Sequence, residues 1–517
     1  METIVTWLVD QVWSTGLVVF ALGAGLFFTL MTKFVQFRYF KEMIMLLFEG
    51  KNSDHGISSF QAFCLALSGR VGIGNIAGVA TAIAFGGPGA VFWMWVMALL
   101  GGASAFIEST LAQVYKSKIG TQYRGGTPYF IEKGLKIKWF AILVAIVVTI
   151  SYGILLPGVQ SNSIASGFEN VFGINKSISG IIIVVLLGVI IFGGVKRIAT
   201  VADKAVPFMA IGYVAVTLIV LFANFSEIPA MFSLIISSAF GAHEAFGGIV
   251  GAAISWGVRR AVFSNVAGVG EATYSSAAAE VSHPAKQGLV QAFSVYIDTI
   301  VVCTATAFMI LISGMYSVTP EGKAPIVDNM KGIDAGPIYT QSAVEAVLPG
   351  FGGIFISIAI FFFAFTTLMA YYYIAETTLV YLDKHTKFRW LNFVLKIGLL
   401  GMVYIGSVES VSFIWALGDL GIGSMAWLNL AAILLLSKPA LKVLKDYDSQ
   451  KKAGLDPIFD PRKVGIENAD FWIDKCDEMN SKNGLTAILD PKEAVIEHAN
   501  SLINKKDKVK RKTPLNK

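Results

Sequence analysis

Arg70-Val-Gly-Ile-Gly-Asn-Ile-Ala-Gly-Val-Ala-Thr-Ala82 returns 190 positions later as Arg260-Ala-Val-Phe-Ser-Asn-Val-Ala-Gly-Val-Gly-Glu-Ala272, with six identities in thirteen positions. Both copies interrupt long apolar segments. Glycine and asparagine clusters free backbone N–H and C=O groups that hydrocarbon cannot solvate, so such a break persists at membrane depth only where protein or a cavity satisfies them. Matching breaks in two halves of one chain mark a transport site.

Composition agrees with that setting. The 517 residues are 55% hydrophobic and 15% charged, with a mean hydropathy of +0.65, more apolar than one soluble core of this length needs. The chain is predicted to be an all-α polytopic membrane protein, because its apolar runs reach about 20 residues and lack the alternation of a barrel. Cys64 and Cys303 in apolar runs and Cys476 in a polar tail suit buried packing rather than a disulfide framework. Met1 to Asp10 has no basic n-region, so the first span is expected to be retained. The five histidines are scattered and no HExxH or Gly-x-Ser-x-Gly run occurs, so neither an enzyme nor a resident cofactor is expected. No nucleic-acid partner is expected either; the partners are lipid and a small solute.

About eleven spans are predicted, near 14–37, 57–85, 89–116, 139–167, 177–193, 200–224, 245–275, 285–314, 351–382, 390–407 and 410–437, with a short apolar piece at 229–240. Lys33, Arg38, Lys41 and Lys51 follow the first span, and Lys116 to Lys138, Lys196 to Lys204, Lys286 and Lys384 to Arg389 fill every second loop after it. The intervening loops are short or acidic. The positive-inside rule then puts the amino terminus outside and the tail in the cytoplasm of a cell membrane. The two copies of the broken motif lie an odd number of spans apart, so they cross in opposite directions, as an inverted repeat requires. The expected division is an extra helix and its connection (1–56), a first five-helix repeat (57–224), an extracellular connection with a second five-helix repeat (225–437), and a charged tail (438–517). The tail carries a weaker repeat, Gly454 to Pro461 against Gly484 to Pro491, each copy followed by a short helix-like run.

In the first break Gly69, Gly72 and Gly74 make unwinding cheap, since each costs roughly 1 kcal/mol against alanine in a helix. The carbonyls around Ser68, Arg70 and Val71 then face the break and suit a small cation. Amide N–H groups near Ala77 and Gly78 suit a carboxylate. The second break offers Asn265, Ala267, Gly268 and Gly270 as a mirror surface. Its Glu271 contacts a substrate ammonium, helps hold a cation, or pairs with Arg259, Arg260 or Arg70. Glu108, Asp298, Glu376 and Asp419 are expected to pair with helix-borne arginines. The adjacent hydroxyls of Thr366 and Thr367 could complete an oxygen cage for sodium.

Ser68 to Ile83, Gly86-Gly-Pro-Gly-Ala-Val-Phe-Trp-Met-Trp95 and Gln160-Ser-Asn-Ser-Ile-Ala165 resemble the alanine or glycine:cation symporter family, the sodium:alanine symporters, and the resemblance spans about 14–437. It implies the leucine-transporter fold of five plus five inverted helices with one additional amino-terminal helix, and sodium-coupled uptake of small neutral amino acids such as alanine or glycine. It implies substrate contacts at Asn75, Gly78 and Thr81 and around Gly268, sodium ligands at the Ser68 and Val71 carbonyls with Thr366 and Thr367, and a pocket lined by Gln160, Asn162 and Trp415. The family usually carries Thr where Ile73 stands, Glu at Val266 and Ser at Glu271. The displaced acid leaves a proton-coupled symporter open, and an amino-acid sensor signalling through the tail is the rival class.

Overall fold

The computed structural model describes residues 2–49, 55–193, 195–322, 324–386 and 390–482. Its apolar runs are helices because only there can each backbone group close its hydrogen bond within the segment. In chain order the main ones are α1 (Glu2–Val12), α2 (Thr15–Met31), α3 (Phe40–Leu47), α4 (Ser59–Arg70), α5 (Ala77–Gly86), α6 (Gly89–Val114), α7 (Lys138–Ile150), α8 (Pro157–Phe172), α9 (Lys176–Ile191) and α10 (Val195–Ala223). They continue as α11 (Ile228–Ala239), α12 (Val250–Asn265), α13 (Ala272–Ala278), α14 (Pro284–Val295), α15 (Thr304–Ser313), α16 (Pro337–Val347), α17 (Gly352–Thr386), α18 (Leu391–Val408), α19 (Val411–Leu435) and α20 (Ser437–Lys452). Wide π-turns at Ser151–Leu155 and Tyr296–Cys303 join α7 to α8 and α14 to α15.

Among the described residues eight helices are long and apolar enough to cross a membrane, or nine if the pair Ser59–Arg70 and Ile73–Gly86, bent by 58°, is one span. Two of the expected spans fall outside that count. The one near 177–193 is the 16-residue α9, and the one near 245–275 is divided into α12 and α13. The exterior is apolar, with Phe208 74%, Phe222 73% and Phe393 62% exposed, a surface that only lipid can cover at low cost. Small residues bring the interior helices together. A Cβ on Gly257 of α12 would sit 2.5 Å from the Ala90 carbonyl oxygen of α6, an approach no larger residue allows. Cys64, Cys303 and Cys476 are buried.

Two compact units divide the chain, Met1–Phe459 and Asp460–Lys517. In the second, α21 (Pro461–Val464) is capped by Asp460, which accepts from the Arg462 amide at 3.0 Å, and α22 (Asp470–Lys482) follows. The second tail repeat from Gly484, the basic end 505–512, and Lys51, Lys387 and Arg389 of the basic loops lie outside the described residues.

The charged segment after α19 starts as a docked helix. Ala440, Val443, Leu444 and Tyr447 of α20 are buried at the spacing of one helical face. Around them Tyr447 donates to Glu42 at 2.5 Å, Tyr39 to Asp448 at 2.6 Å, and Lys451 pairs with Glu42 at 2.7 Å. Downstream, Asp456 and Glu49 both pair with Lys286, at 2.5 and 2.8 Å. His283 is fully buried, its Nδ1 accepting from the Ala285 amide at 3.1 Å, so Nε2 carries the proton toward Asp446 Oδ2 at 3.2 Å. Burial holds this imidazole below its ordinary value despite Asp446. The docked form therefore binds fewer protons than the undocked one. Its stability is present above about pH 6.5, the ordinary imidazole value, and is lost as pH falls below it. Hydrogen–deuterium exchange over 437–459, corrected for intrinsic rates, is expected to be faster at about pH 5.5 than at about pH 7.5; equal protection at both would contradict the assignment.

Candidate functional site

The first break follows from α4 running out of helix formers. Val71 caps α4, its amide bonding the Leu67 carbonyl at 2.7 Å, and a short 3₁₀ turn at Ile73–Asn75 leads into α5. Borrowed side chains satisfy the freed amides. Gly72 N–H donates to Asn75 Oδ1 at 2.9 Å, and Ile73 N–H to Gln160 Oε1 at 3.2 Å. Asn75 Nδ2 in turn donates to Asp298 Oδ1 at 2.6 Å and to the Asp298 carbonyl at 3.1 Å. The Ser68 carbonyl accepts from Thr367 Oγ1 at 2.9 Å, so a carbonyl and a hydroxyl oxygen stand together at the α4 lip of the break.

At the second break Val266 has φ 46°, Gly268 φ 83° and Gly270 φ 94°. A β-branched residue in the left-handed region stores strain of roughly 1–3 kcal/mol. Asn265 holds the turn, accepting from the Ala267 amide and donating to Thr299 Oγ1, both at 3.0 Å. Asn429 Nδ2 bridges the Gly268 carbonyl at 2.9 Å and Glu108 Oε2 at 2.8 Å, while Thr127 donates to Asn429 Oδ1 at 2.9 Å.

The two breaks touch. A Cβ on Gly74 would lie 3.0 Å from Ser264 Cα, and one on Gly69 would strike Glu271 Oε1. Asp298 ties them through Asn75 on one side and Ser264 Oγ, at 3.1 and 3.0 Å, on the other. Beyond this contact, on α5, Gly78 faces Trp415 at 3.9 Å and Arg260 at 4.0 Å, measured from a Cβ it lacks. Thr81 donates to the Gly78 carbonyl at 2.8 Å. Arg260 lies 4.7 Å over the Trp415 ring and is fixed by Asp419 at 3.0 and 3.1 Å. Ser68, Asn75, Gln160, Asn265, Gly268, Glu271 and Trp415 are all buried.

Among the known families, the sodium:alanine symporter family matches residues 1–461. The chain belongs to the sodium:alanine symporter family. It is 60% identical over 460 residues to the "Putative sodium/proton-dependent alanine carrier protein YrbD" of Bacillus subtilis (strain 168), covering 89% of this chain and 95% of that protein. It is 50% identical over 436 residues to the "Sodium/proton-dependent alanine carrier protein" of Bacillus sp. (strain PS3), covering 83% and 97%. A manganese transporter of Eremococcus coleocola shares the fold at a TM-score of 0.52 and 11% identity, over 85% of this chain and 90% of that one. Membership of that family makes the chain a membrane transporter and not an enzyme.

In this symporter-family member the fold gathers most of the residues singled out in the sequence and separates two. Ser68, Val71, Asn75, Gln160 and Thr367 meet at the first break, Gly78, Thr81 and Trp415 just beyond it, and Asn265, Gly268 and Glu271 at the second. Thr366 instead bonds the Phe362 and Phe363 carbonyls of its own helix at 2.9 and 3.0 Å, with Met209 of α10 beside it. Asn162 donates to the Gly406 and Glu409 carbonyls at 2.8 and 3.0 Å, toward the end of α18.

The acids divide as well. Asp419 pairs with Arg259 and Arg260 as expected, at 2.7 and 3.0 Å. Glu376 pairs at 2.6 Å with Arg124, which comes from a short strand (Gln122–Arg124) rather than a helix. Glu108 and Asp298 take amide and hydroxyl donors in place of arginine. Glu271 pairs with none of the three expected arginines; Tyr152 donates to it at 2.9 Å. Tyr152 was invisible in the sequence because it reaches the site from a π-turn, an irregularity that apolar periodicity does not signal. An ionisable residue deep in a span was the available signal for Asp298.

Proposed function

We propose that the transporter carries a small neutral amino acid, alanine or glycine, into the cell together with sodium. The reading rests on one observation: two buried helix discontinuities touch, with a carbonyl and a hydroxyl oxygen together at one lip of the first and the side-chain-free Gly78, facing Trp415 and Arg260, beyond it. Helix ends of opposite dipole suit a cation and a carboxylate at neighbouring points, as a zwitterion carried with sodium needs. Sodium is assigned to the Ser68 and Val71 carbonyls and the Thr367 hydroxyl. The amino acid is assigned to the N–H groups opening α5 at Ala77 and Gly78, with Thr81, Trp415 and Gln160 around it and Gly268 and Asn265 of the second break opposite. Asn75 shapes this site through its bonds to Gly72 and Asp298.

The cycle takes the repeats as rocking units. Sodium favours the outward-facing state, the amino acid closes it, and the broken helices swing to open inward. Eleven crossings, an outer amino terminus, a cytoplasmic tail and the cell membrane complete the reading. Uptake of labelled alanine into proteoliposomes tests it: a sodium gradient is expected to drive accumulation, and equal uptake with potassium would remove the sodium assignment.

The threonine pair gives a sharper contrast. Thr367→Val deletes the hydroxyl beside the Ser68 carbonyl and is expected to raise the sodium concentration for half-maximal uptake by about tenfold, the effect of losing ~1.4 kcal/mol of cation binding. Thr366→Val, on the far side of the helix, is expected to shift it by less than about threefold. Initial rates over a sodium series read both, and the reverse ranking would contradict the cage.

A further inference from the structure

Away from the breaks, α4 and α13 are tied to each other at their far ends. The Ile57 amide, just ahead of α4, donates to the Ala278 carbonyl at 3.0 Å, and the Ile57 carbonyl accepts from the Glu280 amide at 2.9 Å, a single parallel bridge. Gln287 and Gln291 of α14 reach the same helix start, donating to Ser59 Oγ at 3.1 Å and to the Ala62 carbonyl at 3.4 Å. The turn from α13 to α14, residues 279–283, therefore lies against the start of α4. That turn is also held by the arm that runs on from α20. The Phe459 amide donates to the Ser282 carbonyl at 3.0 Å and Ser282 Oγ to the Pro457 carbonyl at 2.8 Å. The His283 ring lies 5.1 Å from that of Tyr447 and 5.4 Å from that of Phe459, and all three residues are fully buried.

The other end of the arm is anchored on the chain before α4. Glu42 of α3 takes both Tyr447 and Lys451, and Arg38 pairs with Asp448 at 2.8 Å. As long as residues 437–459 bind both, turn 279–283 is held to 38–49, the segment that leads into α4. The ion pairs add little, since Asp456 and Glu49 are 66% and 48% exposed where they meet Lys286. Two hydrogen bonds and three packed rings carry the contact on the turn, few enough to part and re-form without unfolding the bundle. None of the residues assigned to sodium or the amino acid belongs to it. We propose that residues 437–459 are a strap that keeps α4 and α13 closed at these ends, and that its release from Ser282 precedes their separation in each transport cycle. The strap thereby restrains one of the two openings that alternating access requires and leaves the solute site itself untouched.

The inference rests on the reading that the broken helices of an alanine carrier swing apart, and the test separates the two. In the full-length protein, Ser282→Cys with Pro457→Cys places thiols where the strap meets the turn. Oxidation in proteoliposomes is expected to lower initial alanine uptake by at least about tenfold and a reductant to restore it, with each single-cysteine variant indifferent to both. Phe459→Ala, which removes one ring from His283, is expected to raise hydrogen exchange at Ile57 to Ala62 and Ser276 to Glu280 by at least about fivefold, while Gly89 to Ala105 of α6 keep their protection. A disulfide confirmed by mass spectrometry that leaves uptake unchanged would overturn the strap, and failure of the disulfide to form would contradict the contact itself. Faster exchange confined to 282–286 and 447–459 would also overturn it, since the arm would then be packing alone. Wild-type vesicles that take up no alanine under any gradient would sink the carrier reading, and the exchange comparison would still decide the strap.

Discussion

Asn75→Ala is expected to remove alanine uptake by at least about a hundredfold while the protein still inserts and folds. The side chain makes four bonds from one position, accepting from the Gly72 amide at 2.9 Å and donating to Asp298 Oδ1 at 2.6 Å, to its carbonyl at 3.1 Å and to Cys303 Sγ at 3.3 Å. Alanine removes these bonds in a site sealed from water, leaving the Gly72 N–H with the Arg70 carbonyl at 2.8 Å and Asp298 Oδ1 with Ser264 Oγ at 3.1 Å. A hydrogen bond to a charged group contributes about 1.5–3 kcal/mol and a neutral one about 1 kcal/mol, and a combined loss near 3 kcal/mol is about two powers of ten. The cost falls on the geometry of the break more than on global stability, because α4 and α5 keep their own hydrogen bonds. Initial uptake rates beside the detergent melting profile read the two effects separately. Uptake within threefold of wild type would remove Asn75 from the account.

A comparable effect, acting on folding, is expected from Gly270→Ala. The glycine sits at φ 94°, and a Cβ there would lie 2.8 Å from Asn429 Oδ1 and strike Thr127 Oγ1. Strain at positive φ contributes roughly 1–3 kcal/mol and overpacking a similar amount, so the second break is destabilised by about 2–5 kcal/mol. Asn429 cannot retreat freely, since it holds both Glu108 and the Gly268 carbonyl. The expected readout is a clearly lowered melting midpoint together with lost uptake. Gly251→Ala is the control, because a Cβ there meets nothing within 4 Å and alanine favours the helix by up to about 1 kcal/mol. Equal melting of the two variants would contradict the packing described at the second break.

The repeated motif made the site legible because it records a backbone requirement: glycine and asparagine stand wherever hydrogen bonds must leave the helix, and both breaks lie where those residues cluster. Side-chain partners were less legible. Neighbouring residues on a helix point about 100° apart, so Thr366 and Thr367 cannot be ranked until the helix is rotated into place. The structure turns only Thr367 to the break. Asn162 stands two residues, and so about 200°, from Gln160 and faces another helix for the same reason. Glu271 has arginines eleven and twelve residues back in sequence, yet its partner is a tyrosine brought by a π-turn from the other half of the chain. In α20 the apolar positions 440, 443, 444 and 447 were readable as one helical face, but the lysines between them lower the mean hydropathy and disguise a docked helix as solvated tail.

The most direct measurement is an electron cryo-microscopy map of the full-length transporter with sodium and alanine. The account predicts two helices interrupted at 71–76 and 266–271, with the alanine carboxylate against the amides that open the outer half of the first and its side chain toward Trp415. A map in which either helix runs unbroken through Asn75 or Asn265, or in which alanine occupies a place that touches neither break, would contradict it.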